Sequence, residues 1–89
     1  MLIEKITIPN KLGLHTRAAA KLVAVASKFE SKIHLKRNDQ DANCKSIMAI
    51  ILLGATKGMA LELHIEGGDE LEAREALFEL IHNKFGEAD

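Results

Sequence analysis

The residue most capable of chemistry is His15, which stands between a glycine-bearing loop and the start of an amphipathic segment. The first turn of a helix presents unpaired backbone N–H groups and about half a positive charge, and so attracts phosphate and other anions. That potential disfavours an imidazolium and leaves a ring nitrogen with a lone pair, available as a nucleophile. Arg17, two residues on, can offer a fixed guanidinium to phosphoryl oxygens, and Gly13 allows close backbone approach by a partner. Together these features read as a phosphorylatable histidine. The alternative is that His15 is simply a cap or an exposed loop residue. Histidine is not among the preferred caps, and Thr16 next door would serve better. Spacing alone leaves both readings open.

The elements that must position this group follow from periodicity. Residues Leu2 to Ile8 alternate as a strand with Ile6 and Ile8 inward, ended by Pro9-Asn10. From Thr16 to Phe29, Ala19, Leu22, Val23 and Ala26 recur at three- and four-residue spacing, which predicts a helix. Ile33 and Leu35 alternate with Lys32, His34 and Lys36. The cluster Asn38-Asp39-Gln40-Asp41 then turns the chain into a short strand at Ala42 to Cys44. Ser46 is a good N-cap and Gly54 a good stop, so the apolar run between them reads as a short helix, although a buried strand has the same pattern. Met59 to Glu66 alternates as a half-buried strand, and Gly67-Gly68 turns the chain. Asp69 caps a last helix with Glu70 and Glu72 in its first turn and Ala73, Leu77, Leu80 and Ile81 on its inner face, finished by Phe85 and Gly86.

The order is βαββαβα. Strands with one apolar face and amphipathic helices must share one core, which predicts a two-layer α/β sandwich of the α+β kind, with the helices on one side of an antiparallel sheet. At 89 residues, 1–89 is read as a single domain without internal repeat. The apolar share of 47% and charged share of 28% exclude a disordered chain. The longest apolar run, Ile47 to Leu53, is far short of the ~20 residues of a bilayer crossing, and Glu4 and Lys5 occupy the place of a signal peptide's apolar region. No membrane insertion and a cytoplasmic location are therefore expected. The lone Cys44 reads as a small core residue in a reducing compartment.

The net charge of −1 conceals a gradient: residues 1–58 carry ten basic and four acidic side chains, residues 59–89 two and nine. A basic face suited to acidic partners is one reading, and one-sided helix solvation is the other. With no Trp, no Tyr and three Phe, stacking platforms for single-stranded nucleic acid are missing, so no nucleic-acid partner is expected. His34 and His64 fall on outward strand positions, and His82 falls in the last turn of the final helix. No Cys/His/carboxylate spacing suggests a metal site, and neither metal nor cofactor is expected. Glu62 and Glu66 lack a cleft that would make them an acid/base dyad.

Gly13-Leu14-His15-Thr16-Arg17, together with Lys45-Ser46-Ile47-Met48 and the βαββαβα order, resembles the HPr family, the phosphocarrier proteins of the bacterial phosphoenolpyruvate-dependent phosphotransferase system. The resemblance spans essentially the whole chain. It implies the family's open-faced sandwich, a four-stranded antiparallel sheet with three helices on one face, in a monomer. It also implies that His15 accepts a phosphoryl group on Nδ1 from enzyme I and passes it to an enzyme IIA, with Arg17 pairing the phosphoryl oxygens. Ser46 matches the serine modified by HPr kinase/phosphorylase in organisms that possess it. Thr16, Ile47, Met48 and Ile51 match the surface that docks on partners. Such a protein is a stoichiometric carrier and not a stand-alone enzyme. Many members have Pro after the arginine where this chain has Ala18, which keeps helix propensity, gives up rigidity and is also found in nitrogen-branch relatives. The competing class is a regulatory binding module read out through Ser46 without a transport role. His15 and Arg17 favour the carrier, since a binding-only module needs no nucleophile. A small-ligand or RNA-binding sandwich is the third class, and the chain lacks the stacking aromatics and net basic charge it would call for.

Overall fold

A computed structural model describes all residues, 1–89. Four strands, β1 (Leu2–Thr7), β2 (Lys32–Arg37), β3 (Gln40–Asn43) and β4 (Ala60–Glu66), form one sheet in the order β1-β4-β2-β3. Every pairing is antiparallel. Helices α1 (Thr16–Ala26), α2 (Ile47–Leu52) and α3 (Glu70–His82) complete the expected βαββαβα order. α1 packs against both α2 and α3.

The pleat sorts the strand residues into two faces. Leu2, Ile65 and Ile33 share one row and Leu63, Leu35 and Ala42 another, all on the helix-covered side, where the buried apolar residues form one continuous cluster. Glu4 lies in that inward register beside Leu63, and Arg74 of α3 meets it at 3.3 Å, so the carboxylate is not left unpaired at the layer boundary. The opposite face carries Ile3-His64-His34-Asn43 and Lys5-Glu62-Lys36-Asp41 in register. His34 Nδ1 contacts Asp41 across the strands at 2.7 Å, and His64 Nε2 contacts Glu62 on its own strand at 3.1 Å, both on the open side. Cys44 is fully buried, and burial pushes its thiol up to about 12, which makes it an inert core residue.

Several boundaries differ from the periodic reading. α1 stops at Ala26, not at Phe29, and Lys45 Nζ donates to the Phe29 carbonyl at 2.7 Å in the turn that follows. The β2–β3 turn is only Asn38-Asp39, with Asn38 left-handed at φ 54°, while Gln40 and Asp41 already belong to β3. Cys44 falls just beyond β3. The 46–54 stretch is helical as expected, with Gly54 at φ 62° directly after the cap residue Leu53. α3 ends at His82, and the chain reverses through a 3-10 turn at Lys84–Gly86 in which Lys84 and Phe85 take positive φ. This reversal buries Phe85 to 1% exposure and sends the last residues back toward α1.

The largest departure concerns Asp69. It occupies the N-cap position of α3 but makes no capping bond. Its carboxylate instead accepts from the Glu30 N–H at 2.8 Å, the Ser31 N–H at 3.0 Å and the Ser31 hydroxyl, pinning the turn before β2. Those bonds, led by the Ser31 hydroxyl, hold the Asp69 carboxyl below the usual aspartate range.

Candidate functional site

His15 is the N-cap of α1, with extended backbone (φ −76°, ψ −179°), and its Nδ1 accepts the Arg17 backbone N–H at 3.3 Å. Thr16 is therefore the first helical residue and not the cap. A ring nitrogen does here what a hydroxyl does elsewhere: it accepts one of the orphan N–H groups of the first turn. His15 thus fills the capping role that the sequence posed as the alternative to chemistry.

The loop before His15 is held tightly from within. Gly13 is buried with φ 67°, and a Cβ there would collide with the backbone of Ala55 and Thr56. Leu14 N–H donates to the Ala55 carbonyl at 3.0 Å. Gly13 thus serves the approach of the chain's own 55–56 segment, which replaces the expected approach of a partner.

Two residues that the sequence reading passed over complete the site. Glu87 reaches the Nε2 of His15 through Oε2, and its Oε1 accepts from Asn10 Nδ2 at 2.9 Å. Asn10 is fully buried, and the same Nδ2 donates to the Gly13 carbonyl at 2.8 Å. These contacts, with Asn10 first and His15 next, hold the Glu87 carboxyl below the usual glutamate range. Their sequence signals are weak: Asn10 reads as a turn residue after Pro9, and Glu87 lies past the last periodic segment. A Gly after Phe85 is the single hint that the chain reverses.

Arg17 is exposed, and its side chain makes no hydrogen bond or ion pair. With Lys11, Leu12, Lys21, Gly86, Glu87, Ala88 and Asp89 it lines an open groove beside His15. Lys21 donates to the Phe85 carbonyl at 2.7 Å, so Arg17 and Lys11 are the cations of this groove without such a commitment.

Ser46 caps α2, its Oγ accepting the Ala49 N–H at 3.3 Å. Of the apolar residues expected on the docking surface, Ile47 is 42% and Met48 66% exposed, while Ile51 is half-buried against the core. Leu52 and Leu12, which the sequence reading did not single out, are 71% and 64% exposed. Thr16 is exposed at the start of α1.

Residues 3–83 match the family described as PTS-HPr, PTS HPr component phosphorylation site. The chain is 51% identical over 86 residues to phosphocarrier protein HPr of Pseudomonas aeruginosa, covering 96% of each. It is 47% identical over 89 residues to that of Neisseria meningitidis serogroup A, covering all of both. The crystal structure of HPr-C-His from Thermoanaerobacter tengcongensis superimposes with a TM-score of 0.95 at 47% identity, over the full length of both chains. With a phosphorylation-site family spanning nearly its whole length and a sandwich shared with a solved HPr, the chain belongs to the HPr family, the phosphocarrier proteins of the phosphotransferase system.

Proposed function

We propose that His15 is the residue of this phosphocarrier that takes the phosphoryl group, and that it does so on Nδ1. The observation that carries this is the ring's double anchorage: Nε2 faces the Glu87 carboxylate, while Nδ1 faces a backbone N–H at a helix start. Nδ1 holds the lone pair that forms the N–P bond as the donor's bond to phosphorus breaks, and the donor keeps that electron pair. The Arg17 N–H then turns from the ring nitrogen to a phosphoryl oxygen, and the unpaired Arg17 guanidinium supports the transferred charge.

The donor is enzyme I and the acceptor an enzyme IIA, met through Thr16, Ile47, Met48 and the exposed edge of Ile51. The working form is a single-domain monomer in the cytoplasm. Ser46 is the regulatory position where an HPr kinase/phosphorylase is present, supported by its place at the start of the helix that bears Ile47 and Met48. Incubation with enzyme I and phosphoenolpyruvate tests the assignment. The expected product carries one acid-labile phosphoryl group per chain, located at His15 by phosphorus–nitrogen coupling. Label at any other residue, or none, refutes it.

A further inference from the structure

We infer that Glu87, delivered by the reversed C-terminal segment and held by buried Asn10, is the positioning residue that fixes the tautomer and ring orientation of His15. The inference rests on the phosphocarrier assignment above and extends it to a residue outside the motif around His15.

The geometry selects one tautomer from two sides. A nitrogen that accepts the Arg17 N–H must carry a lone pair, so Nδ1 is unprotonated and the ring hydrogen sits on Nε2. Nε2–H has one acceptor in reach, Glu87 Oε2. Without that carboxylate, only a single 3.3 Å contact favours Nε2–H, and the opposite tautomer would block the nucleophile.

Glu87 is itself held in place. Asn10 Nδ2 donates both to Glu87 Oε1 and to the Gly13 carbonyl, and a flipped amide would aim its oxygen at those same two acceptors. The Asn10 orientation is thereby determined. The segment is anchored at either end: Lys21 donates to the Phe85 carbonyl, and the Lys11 N–H donates to the Asp89 carbonyl at 2.8 Å. Asn10 also sits three residues from Gly13, so one buried amide ties the loop before the histidine to the carboxylate behind it.

The consequence for transfer follows from charge. When Nδ1 bonds to phosphorus and Nε2 keeps its hydrogen, the ring becomes cationic, and a carboxylate on Nε2 offsets that charge. When the phosphoryl group moves on, the N–P electron pair returns to Nδ1 and the ring leaves as neutral imidazole. If the Nε2 hydrogen were lost, the leaving group would be an imidazolate, which departs far less readily. Glu87 therefore supports both halves of the carrier's cycle by acting through Nε2 of the ring.

The test uses the full chain and the variants Glu87→Gln, Glu87→Ala and Glu87→Asp. Ring 15N chemical shifts of His15 at neutral pH report the tautomer without any transfer reaction. The wild type is expected to be nearly pure Nε2–H, Glu87→Gln and Glu87→Ala to be tautomer mixtures, and Glu87→Asp to return toward wild type. In transfer from phosphorylated enzyme I, kcat is expected to fall about tenfold in the Gln and Ala variants with KM unchanged. An unchanged tautomer population in Glu87→Ala, whatever the rate, overturns the inference, and so does a loss confined to KM. A wild-type chain that takes up no phosphoryl group would refute the assignment of His15 as acceptor, while the 15N shifts would still decide the part played by Glu87.

Discussion

The helix starts at His15 and Asp69 are opposite in a useful way. Aspartate is among the best N-caps and histidine among the poor ones, yet Asp69 caps nothing and His15 caps α1. Asp69 finds three stronger donors across the fold, on Glu30 and Ser31, and spends its carboxylate there. His15 finds a carboxylate behind its ring, and its other nitrogen is left for the helix. Cap preference is a local quantity, and it yields wherever tertiary partners supply a better-satisfied arrangement. The α1 start is organised around a nitrogen lone pair that accepts a helix N–H, whereas the α3 start is organised around closing a turn.

The sharpest way to separate the two regions is His15→Ala. Phosphoryl uptake from enzyme I and phosphoenolpyruvate is expected to vanish, while thermal unfolding changes little, since a weak cap costs about 1 kcal/mol or less. Uptake that persists in this variant breaks the comparison at its root. Arg17→Ala comes next. Charge-assisted contacts are worth roughly 1.5–3 kcal/mol, so transfer should slow by about tenfold to a hundredfold with the fold intact, because the guanidinium has no structural partner to lose. Steady-state transfer rates at the wild-type level would remove Arg17 from the chemistry.

Ser46→Asp probes the third helix start. Aspartate caps about as well as serine, so unfolding is expected near wild type. The added charge beside Ile47 and Met48 should slow His15 phosphorylation several-fold, through docking alone. An unchanged rate would leave Ser46 as a capping residue.

The smallest effect on transfer belongs to Asp69→Asn, which should leave the rate alone and act on stability. The Asp69 carboxyl titrates below its ordinary value of 3.8 in the folded protein. Its contribution is thus fully present above that value and lost as pH falls through the lower folded-state value. Denaturant melts are expected to show the variant less stable at pH 7, with the gap to wild type closing in strong acid. A constant gap across that range would mean that the stabilisation does not come from the ionised carboxylate accepting from Ser31 and Glu30.

Much of this protein was legible in one dimension. Element types followed from alternation in 59–66 and from three- and four-residue spacing in 16–29, because burial on one face imposes those periods, although the elements themselves are shorter. The charge gradient was legible as a sum but not as a face. Lys21, Arg37 and Lys45 lie in the basic stretch, and each donates to a backbone carbonyl, of Phe85, Leu53 and Phe29 respectively. They act as ties between elements as well as surface charge.

The sequence by itself determined the element types and the places of His15 and Ser46 at two helix starts, with Arg17 in the first turn after His15. Those depend on contacts within a few residues, where spacing is geometry. Only the tertiary structure decided that Glu87 faces His15 from 72 positions away and that Asn10 holds it from 77. Neither residue carries a period or a local partner that would reveal the pairing. The reversal at Lys84–Gly86 and the burial of Phe85 bring the carboxylate home. The ring's tautomer is thus set by packing between chain ends, a long-range consequence of closing one core.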